Sequence, residues 1–264
     1  PEQLITEPRI LSISSGVLGL LVAPILFIYP APHQGPAAIV ARQVLSLIGF
    51  FFTAAGSTCW CRAANTHPGC IDSSPASLDK LRQEYEAALA RVAAITTEDS
   101  DESREGWLWP WGLTTPLIHQ MSIVAPERSK YCTATRQCVP MYDHYCTFLR
   151  NPVGRDNYPM FMATIAFSTV ACVCLVAAGV ILIVSRDAIL LGMVTVLYFG
   201  VFVLLWALLS MSHYIQAYLG ETTYESIQKS RGTLKYWVDD TGVYVNPDKG
   251  ACMRNLCRRL LPHA

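Results

Sequence analysis

The chain has 264 residues, 20 basic and 20 acidic side chains and no net charge; 52% of it is hydrophobic and only 15% charged. With a mean hydropathy of +0.31, this excludes a disordered chain, a coiled coil and an ordinary soluble enzyme. The balanced charge leaves no footprint for nucleic acid. Ten cysteines are too dilute for a disulfide-stapled miniprotein, and those beside apolar runs are expected as reduced, packed thiols.

No cleavable signal peptide is read, and a start at Pro1 rather than Met leaves room for an upstream region. Four stretches are apolar and long enough to cross about 30 Å of hydrocarbon as helices: about 10–29, 37–60, 159–185 and 188–219. The first two are joined by the Pro/Gly-rich turn 30–36, the last two by little more than Ser185, Arg186 and Asp187. This predicts an all-α polytopic membrane protein with four transmembrane helices in two hairpins. Arg186 is the one basic residue in the two short connections, whereas the middle loop carries about ten and the tail seven. The positive-inside rule then puts the loop and both termini in the cytosol.

Within the loop, Leu78, Leu81, Tyr85, Ala88, Leu89 and Val92 recur at helical spacing, predicting an amphipathic helix over 77–94. The acidic stretch 96–106 reads as a linker, and Trp107, Trp109 and Trp111 as an interfacial anchor. Then come Asp143, His144 and Cys146. An imidazole beside a thiol can take its proton or pair with the thiolate. Two residues apart on an extended segment, His144 and Cys146 leave the same face. A carboxylate that fixes the imidazole completes a nucleophile–base–acid arrangement, although Asp143 needs a turn to reach His144. On residue types alone, a chance polar cluster or a remnant metal site is the stronger reading.

The surrounding residues resemble the cysteine-rich domain of the DHHC protein S-acyltransferases (palmitoyltransferases). Pro126, Arg128, Ser129, Cys132, Cys138, Val139, Asp143, His144, Cys146, Asn151, Gly154, Asn157 and Phe161 fall in register with that family's pattern without a gap. Outside the domain, His67-Pro68-Gly69 resembles its Asp-Pro-Gly motif, and Thr222-Thr223-Tyr224-Glu225 its Thr-Thr-x-Glu. Asn246 to Gly250 with Asn255 resembles its C-terminal Asn/Gly motif. The resemblance implies a small, hairpin-rich cytosolic domain of the cysteine-rich type between spans 2 and 3. It divides the chain into a transmembrane hairpin (1–60), a cytosolic linker that includes the start of the catalytic domain (61–124), the catalytic domain (125–158), a second transmembrane hairpin (159–219) and a cytosolic tail (220–264).

It also implies that Cys146 attacks a long-chain acyl-CoA such as palmitoyl-CoA, with His144 as general base and Asp143 orienting it. The acyl-enzyme then passes its chain to cysteines of protein substrates. Thr223 is expected to hydrogen-bond near the catalytic loop, Thr222 to cap the following segment and Asn255 to satisfy buried backbone. Phe161, Tyr198 and Trp206 are candidate acyl-slot walls; Arg128 and Arg136 are candidates for CoA phosphates. His213 reads as an interhelical hydrogen-bond donor rather than a proton relay.

The family's domain ordinarily holds two zinc ions, each on three cysteines and a histidine. Carried over by register, the ligand positions here are Ile118, Met121, Tyr131 and Cys138, and Cys132, Thr135, Tyr145 and Pro152. One thiolate per set does not make a tetrahedral site. His119 could supply one ligand but completes no quartet, so a zinc-free domain is expected with no tightly bound cofactor. Thr147, Phe148 and Arg150 depart from the family's Pro, Trp and Asn and are read as tuning. The Asp-His-Tyr-Cys variant resembles the ankyrin-bearing fungal branch; any such repeat would lie upstream of Pro1. Golgi or endoplasmic reticulum is the expected membrane. A catalytically inactive membrane adaptor is the alternative. A transporter or channel subunit is weaker, on the view that no span carries a charge to line a polar path.

Overall fold

The computed structural model describes residues 7–69, 75–98, 117–118, 123–124, 128–232, 246, 248 and 250–261. Helices α1 (Glu7–Ile28) and α2 (Pro36–Asn65) are followed by α3 (Pro75–Glu98). Three two-stranded antiparallel hairpins come next: β1 (Leu117–Ile118) with β2 (Ile123–Val124), β3 (Lys130–Cys132) with β4 (Gln137–Val139), and β5 (His144–Cys146) with β6 (Asn151–Val153). Helices α4 (Tyr158–Ser185), α5 (Ile189–Leu219), α6 (Thr223–Ser230) and α7 (Cys252–Leu260) complete the chain. The tryptophan cluster and the acidic linker lie outside the described residues.

Among the described residues, α2, α4 and α5 are long and apolar enough to cross a membrane; the fourth apolar helix is the shorter stretch Gly16–Ile28 of α1. Proline marks the starts of α2 and α4, where a missing N–H costs nothing. α2 runs five residues beyond the expected end at Trp60, carrying the helix out to His67-Pro68-Gly69. α2, α4 and α5 bury one apolar cluster that includes Leu149, Phe161, Ile165, Leu175, Leu182, Phe199 and Trp206. Leu149, between β5 and β6, belongs to it, so the small domain is seated on the helices.

The second span departs from the charge-free view. Arg42 lies within α2 and is 1% exposed. Its guanidinium donates to the carbonyls of Leu26 and Tyr29 (3.0 Å for Tyr29) and to Gln34 Oε1 (3.2 Å). The last carbonyls of α1 have no intrahelical donor and cannot stay unpaired in an apolar setting, so this charge closes that helix end and lines no path. Gln34 reaches Ser185 Oγ (3.0 Å), and the His33 backbone N–H donates to Asp187 Oδ1 (2.9 Å), which joins the two short connections.

Two- and three-residue strands are marginal alone. Their support is side-chain packing: Cys132, Val139 and Tyr142 form a buried cluster joined by Tyr145 and Tyr224. The Lys130 ammonium lies 3.9 Å from the Tyr224 ring centroid. Gly154 meets Pro68 so closely that a Cβ there would lie 2.5 Å from the Pro68 carbonyl oxygen, and Asp156 N–H donates to that oxygen (3.2 Å). The two family-like motifs at 67–69 and 151–157 therefore touch. Arg42→Leu is expected to lower stability by about 1–3 kcal/mol, the cost of orphaning buried acceptors, read as a fall in melting temperature in detergent.

Candidate active site

Asp143 is held before its side chain does anything. Its N–H donates to Val153 O (2.8 Å) across the β5–β6 hairpin, and its carbonyl accepts from Tyr224 N–H (3.1 Å) at the start of α6. The following strand puts His144 opposite Val153 and Cys146 opposite Asn151. The expected alternation is present: His144 and Cys146 share a face of β5 and line the same cavity. Asp143 does reach His144, with Oδ2 2.9 Å from the ring's Nδ1.

The carboxylate is 1% exposed and both its oxygens are engaged. Oδ1 accepts from the backbone N–H of Thr223 (3.0 Å) and from Arg259 Nη2 (2.9 Å). Oδ2 accepts from His144, and His213 Nδ1 of α5 stands 3.8 Å away. Burial alone would raise the Asp143 carboxyl; the His144 hydrogen bond and the Arg259 charge overcome it and hold the group well below the usual carboxylate range. His144 answers in kind. Burial would lower its imidazole, but the Asp143 hydrogen bond and charge, with Cys146 alongside, raise it to about 9. An imidazole raised this way is a strong proton acceptor beside a thiol.

The tail closes the arrangement. Thr222 caps α6 in a reciprocal capping box with Glu225, which aims the Thr223 N–H at Asp143, while Thr223 Oγ1 donates to Gln216 (2.8 Å). Arg128 chelates Glu225 through two bonds of 2.7 Å and also reaches Gly220 O (2.8 Å). α5 ends on Gly220 at φ 77°, where a Cβ would fall 2.8 Å from the Asn255 amide nitrogen. Asn255 donates to Asp248 O (2.9 Å) and Tyr218 O (3.4 Å). One turn further along α7, Arg259 lies over the Tyr158 ring (3.8 Å) as it pairs with Asp143.

Cys146 opens onto an apolar cavity of about 180 Å³ lined by His144, Phe148, Phe161, Thr164, Ile165, Trp206 and Leu209, among others. Trp60, Thr164 and Trp206 also line a second cavity of about 230 Å³ that continues to Leu175 and Phe199. From Phe161 to Leu175 the α4 axis advances about 21 Å at 1.5 Å per residue. Phe161 and Trp206 both line the cavity at Cys146. Tyr198 packs on Phe199 and Phe202 and lines neither cavity. Arg128 is committed to Glu225, and Arg136 is exposed in the β3–β4 turn.

The register-derived zinc positions do not assemble a site. Tyr131 faces Cys138 across β3–β4, and Tyr145 faces Pro152 across β5–β6. Burial pushes the Cys138 thiol up to about 12, so it stands as a neutral packing residue. Ile118, His119 and Met121 have no described side chains. Among the described residues, the one group of three metal-competent side chains is Asp143, His144 and His213, not a cysteine set. The donors present do not fit zinc of the family's kind.

With this geometry in view, residues 117–230 match the family model for DHHC palmitoyltransferase. These residues are thus similar to a DHHC palmitoyltransferase domain. The chain is similar to palmitoyltransferase ERF2 of Candida glabrata, 37% identical over 65 residues (25% of this chain, 20% of that protein). It is also similar to palmitoyltransferase ZDHHC18 of Mus musculus, 24% identical over 141 residues (53% and 36%). A shorter match, 50% identical over 36 residues (14% and 11%), is to palmitoyltransferase SWF1 of Eremothecium gossypii. The matches span between about a tenth and about a third of these relatives' lengths.

Two residues of the site's setting were not singled out from sequence. Arg259 lies four residues from Asn255, on the same helix face, so an α7 reading would have exposed it. Tyr158 carries no signal of its own. His213, expected as a satisfied donor, instead has an Nδ1 without a hydrogen-bond partner. A group raised on folding contributes stability in full below its unfolded value near 6.5 and loses it as pH rises through the folded one. The melting temperature of the wild type relative to His144→Gln is accordingly expected to be highest at pH 6 and to fall away through about pH 9.

Proposed function

We propose that this protein is a protein S-palmitoyltransferase, which moves a long-chain acyl group from acyl-CoA to cysteine thiols of other proteins through an acyl-enzyme on Cys146. The observation that carries this is a thiol beside a carboxylate-held imidazole, both lining one apolar cavity between helices. Cys146, whose sulfur is the nucleophile, gives its proton to His144 as general base. Its sulfur adds to the thioester carbonyl, the bond to the CoA sulfur breaks, and His144 delivers its proton to that sulfur. In the second half, an incoming cysteine gives its proton to His144 and displaces Cys146. Asp143 keeps the ring oriented and stabilises its cationic form.

The cavity supplies binding energy. Each methylene taken from water contributes about 0.8 kcal/mol, so Phe161, Ile165 and Trp206 hold the chain while the thioester stays at the boundary. Arg136, exposed beside the domain, is available to CoA phosphates. We place α1 as a fourth span and the DHHC domain with both termini in the cytosol, on the charge asymmetry of the loops. Golgi or endoplasmic reticulum is the membrane we favour. Tyrosine and aliphatic packing around Cys132 and Val139 supports a domain that folds without zinc.

Purified protein incubated with a clickable palmitoyl-CoA analogue is expected to acquire hydroxylamine-sensitive label that disappears in Cys146→Ala. No label on folded wild type would support the adaptor reading instead. Metal analysis of the same preparation is expected to find zinc far below one equivalent, with no loss of melting temperature on chelation; stoichiometric zinc would refute the zinc-free fold.

A further inference from the structure

His213 is an imidazole inside a span, and an ionisable group there calls for a partner or a function. It is 4% exposed. Its ring stacks edge-on against Phe161 (centroids 4.9 Å) and lies 5.6 Å from the His144 ring. Its backbone carbonyl accepts from Tyr158 (3.3 Å), the residue that carries Arg259. Its Nδ1 is buried without a hydrogen-bond partner, yet stands 3.8 Å from Asp143 Oδ2, the same oxygen that His144 occupies at 2.9 Å. One atom of Asp143, Nδ1 of His144 and Nδ1 of His213 are thus gathered at a single point, with ligand-capable atoms all within 4.8 Å. The ionisable groups facing His213 are Asp143 and His144 from the catalytic hairpin, Arg259 from α7 and Tyr158 from α4.

An unpaired buried donor normally costs about 1–3 kcal/mol, and a native structure retains one where it is used. The use is visible in the reaction proposed above, on which this inference rests. Delivering a proton to the departing CoA sulfur turns His144 from a cation into a neutral ring, which weakens its bond to Oδ2. Asp143 has no exposed face, so water cannot compensate that oxygen. A shift of under about 1 Å brings His213 Nδ1 to hydrogen-bonding distance.

We propose that His213 is a positioning residue, a second imidazole donor that holds Oδ2 of Asp143 while His144 hands its proton to the leaving sulfur. Oδ1 stays with Arg259 and Thr223 throughout, so the carboxylate does not rotate, and His144 returns to the same orientation for the second transfer.

The test is single-turnover acylation of the purified full chain by the clickable palmitoyl-CoA analogue, comparing two substitutions. His213→Asn keeps an N–H donor near the Nδ1 position but leaves a void; His213→Phe keeps the ring volume and removes the donor. The asparagine variant is expected within about threefold of wild type, and the phenylalanine variant about tenfold slower at saturating donor. Neither is expected to change the donor's KM by more than about twofold. A packing role predicts the reverse order, because phenylalanine fills the site and asparagine does not. His213→Leu gives the same donor-free comparison where phenylalanine prevents folding. Acylation by the phenylalanine or leucine variant as fast as by the asparagine variant would overturn the proposal alone. A wild type that takes up no hydroxylamine-sensitive label would overturn the transferase reading and this inference together.

Discussion

A carboxylate with no access to water has to be compensated by the protein or lose its charge, and Asp143 is such a group. Its compensation comes from three parts of the chain distant in sequence: the strand that follows it, the N-terminus of α6 and the last helix. Arg259 supplies the counter-charge, Thr223 a backbone N–H at a helix start where the local dipole is positive, and His144 the hydrogen bond that carries the chemistry. Much of the architecture outside the long apolar helices is explained by delivering these donors to one point. The capping box of Thr222 and Glu225, the Arg128–Glu225 pair, Gly220 and Asn255 all serve to place Thr223 and Arg259.

The same arrangement separates two tasks that a cysteine–histidine pair must combine. The polar half of the site sets the proton on His144 and is built from buried, fully directed hydrogen bonds. The apolar half begins at Cys146 and is built from Phe161, Ile165 and Trp206, where shape rather than direction matters. His144 touches both: one face of its ring meets Phe161 at 5.3 Å, and its Nδ1 meets Asp143. A thiol at this seam faces a hydrocarbon-lined cavity on one side and a fixed charge pattern on the other.

How much of this could be read from residues alone depends on the range over which each contact acts. Local rules sufficed for the helix limits at Pro36, Pro159 and Gly220, and for the shared face of His144 and Cys146, because both follow from backbone period and turn chemistry. The motif at Thr222 also declared itself, since a capping box lies within four residues. Arg259 did not, because 116 residues separate it from Asp143 and a tail arginine is ordinarily a solvated charge. Arg42 was passed over for a related reason: in an apolar run a single cation reads as noise until the carbonyls it closes are visible. Arg128 illustrates the opposite error, an apparently free cation whose charge is already matched by Glu225.

The pairing of Asp143 with Arg259 has a consequence for synthesis. A ribosome that has delivered the hairpins and all the long apolar helices has not yet released α7, so the buried anion has no full positive charge beside it. The small domain is thus completed by a helix translated after the apolar ones, and the Asp143 carboxylate gains its full counter-charge only when α7 docks.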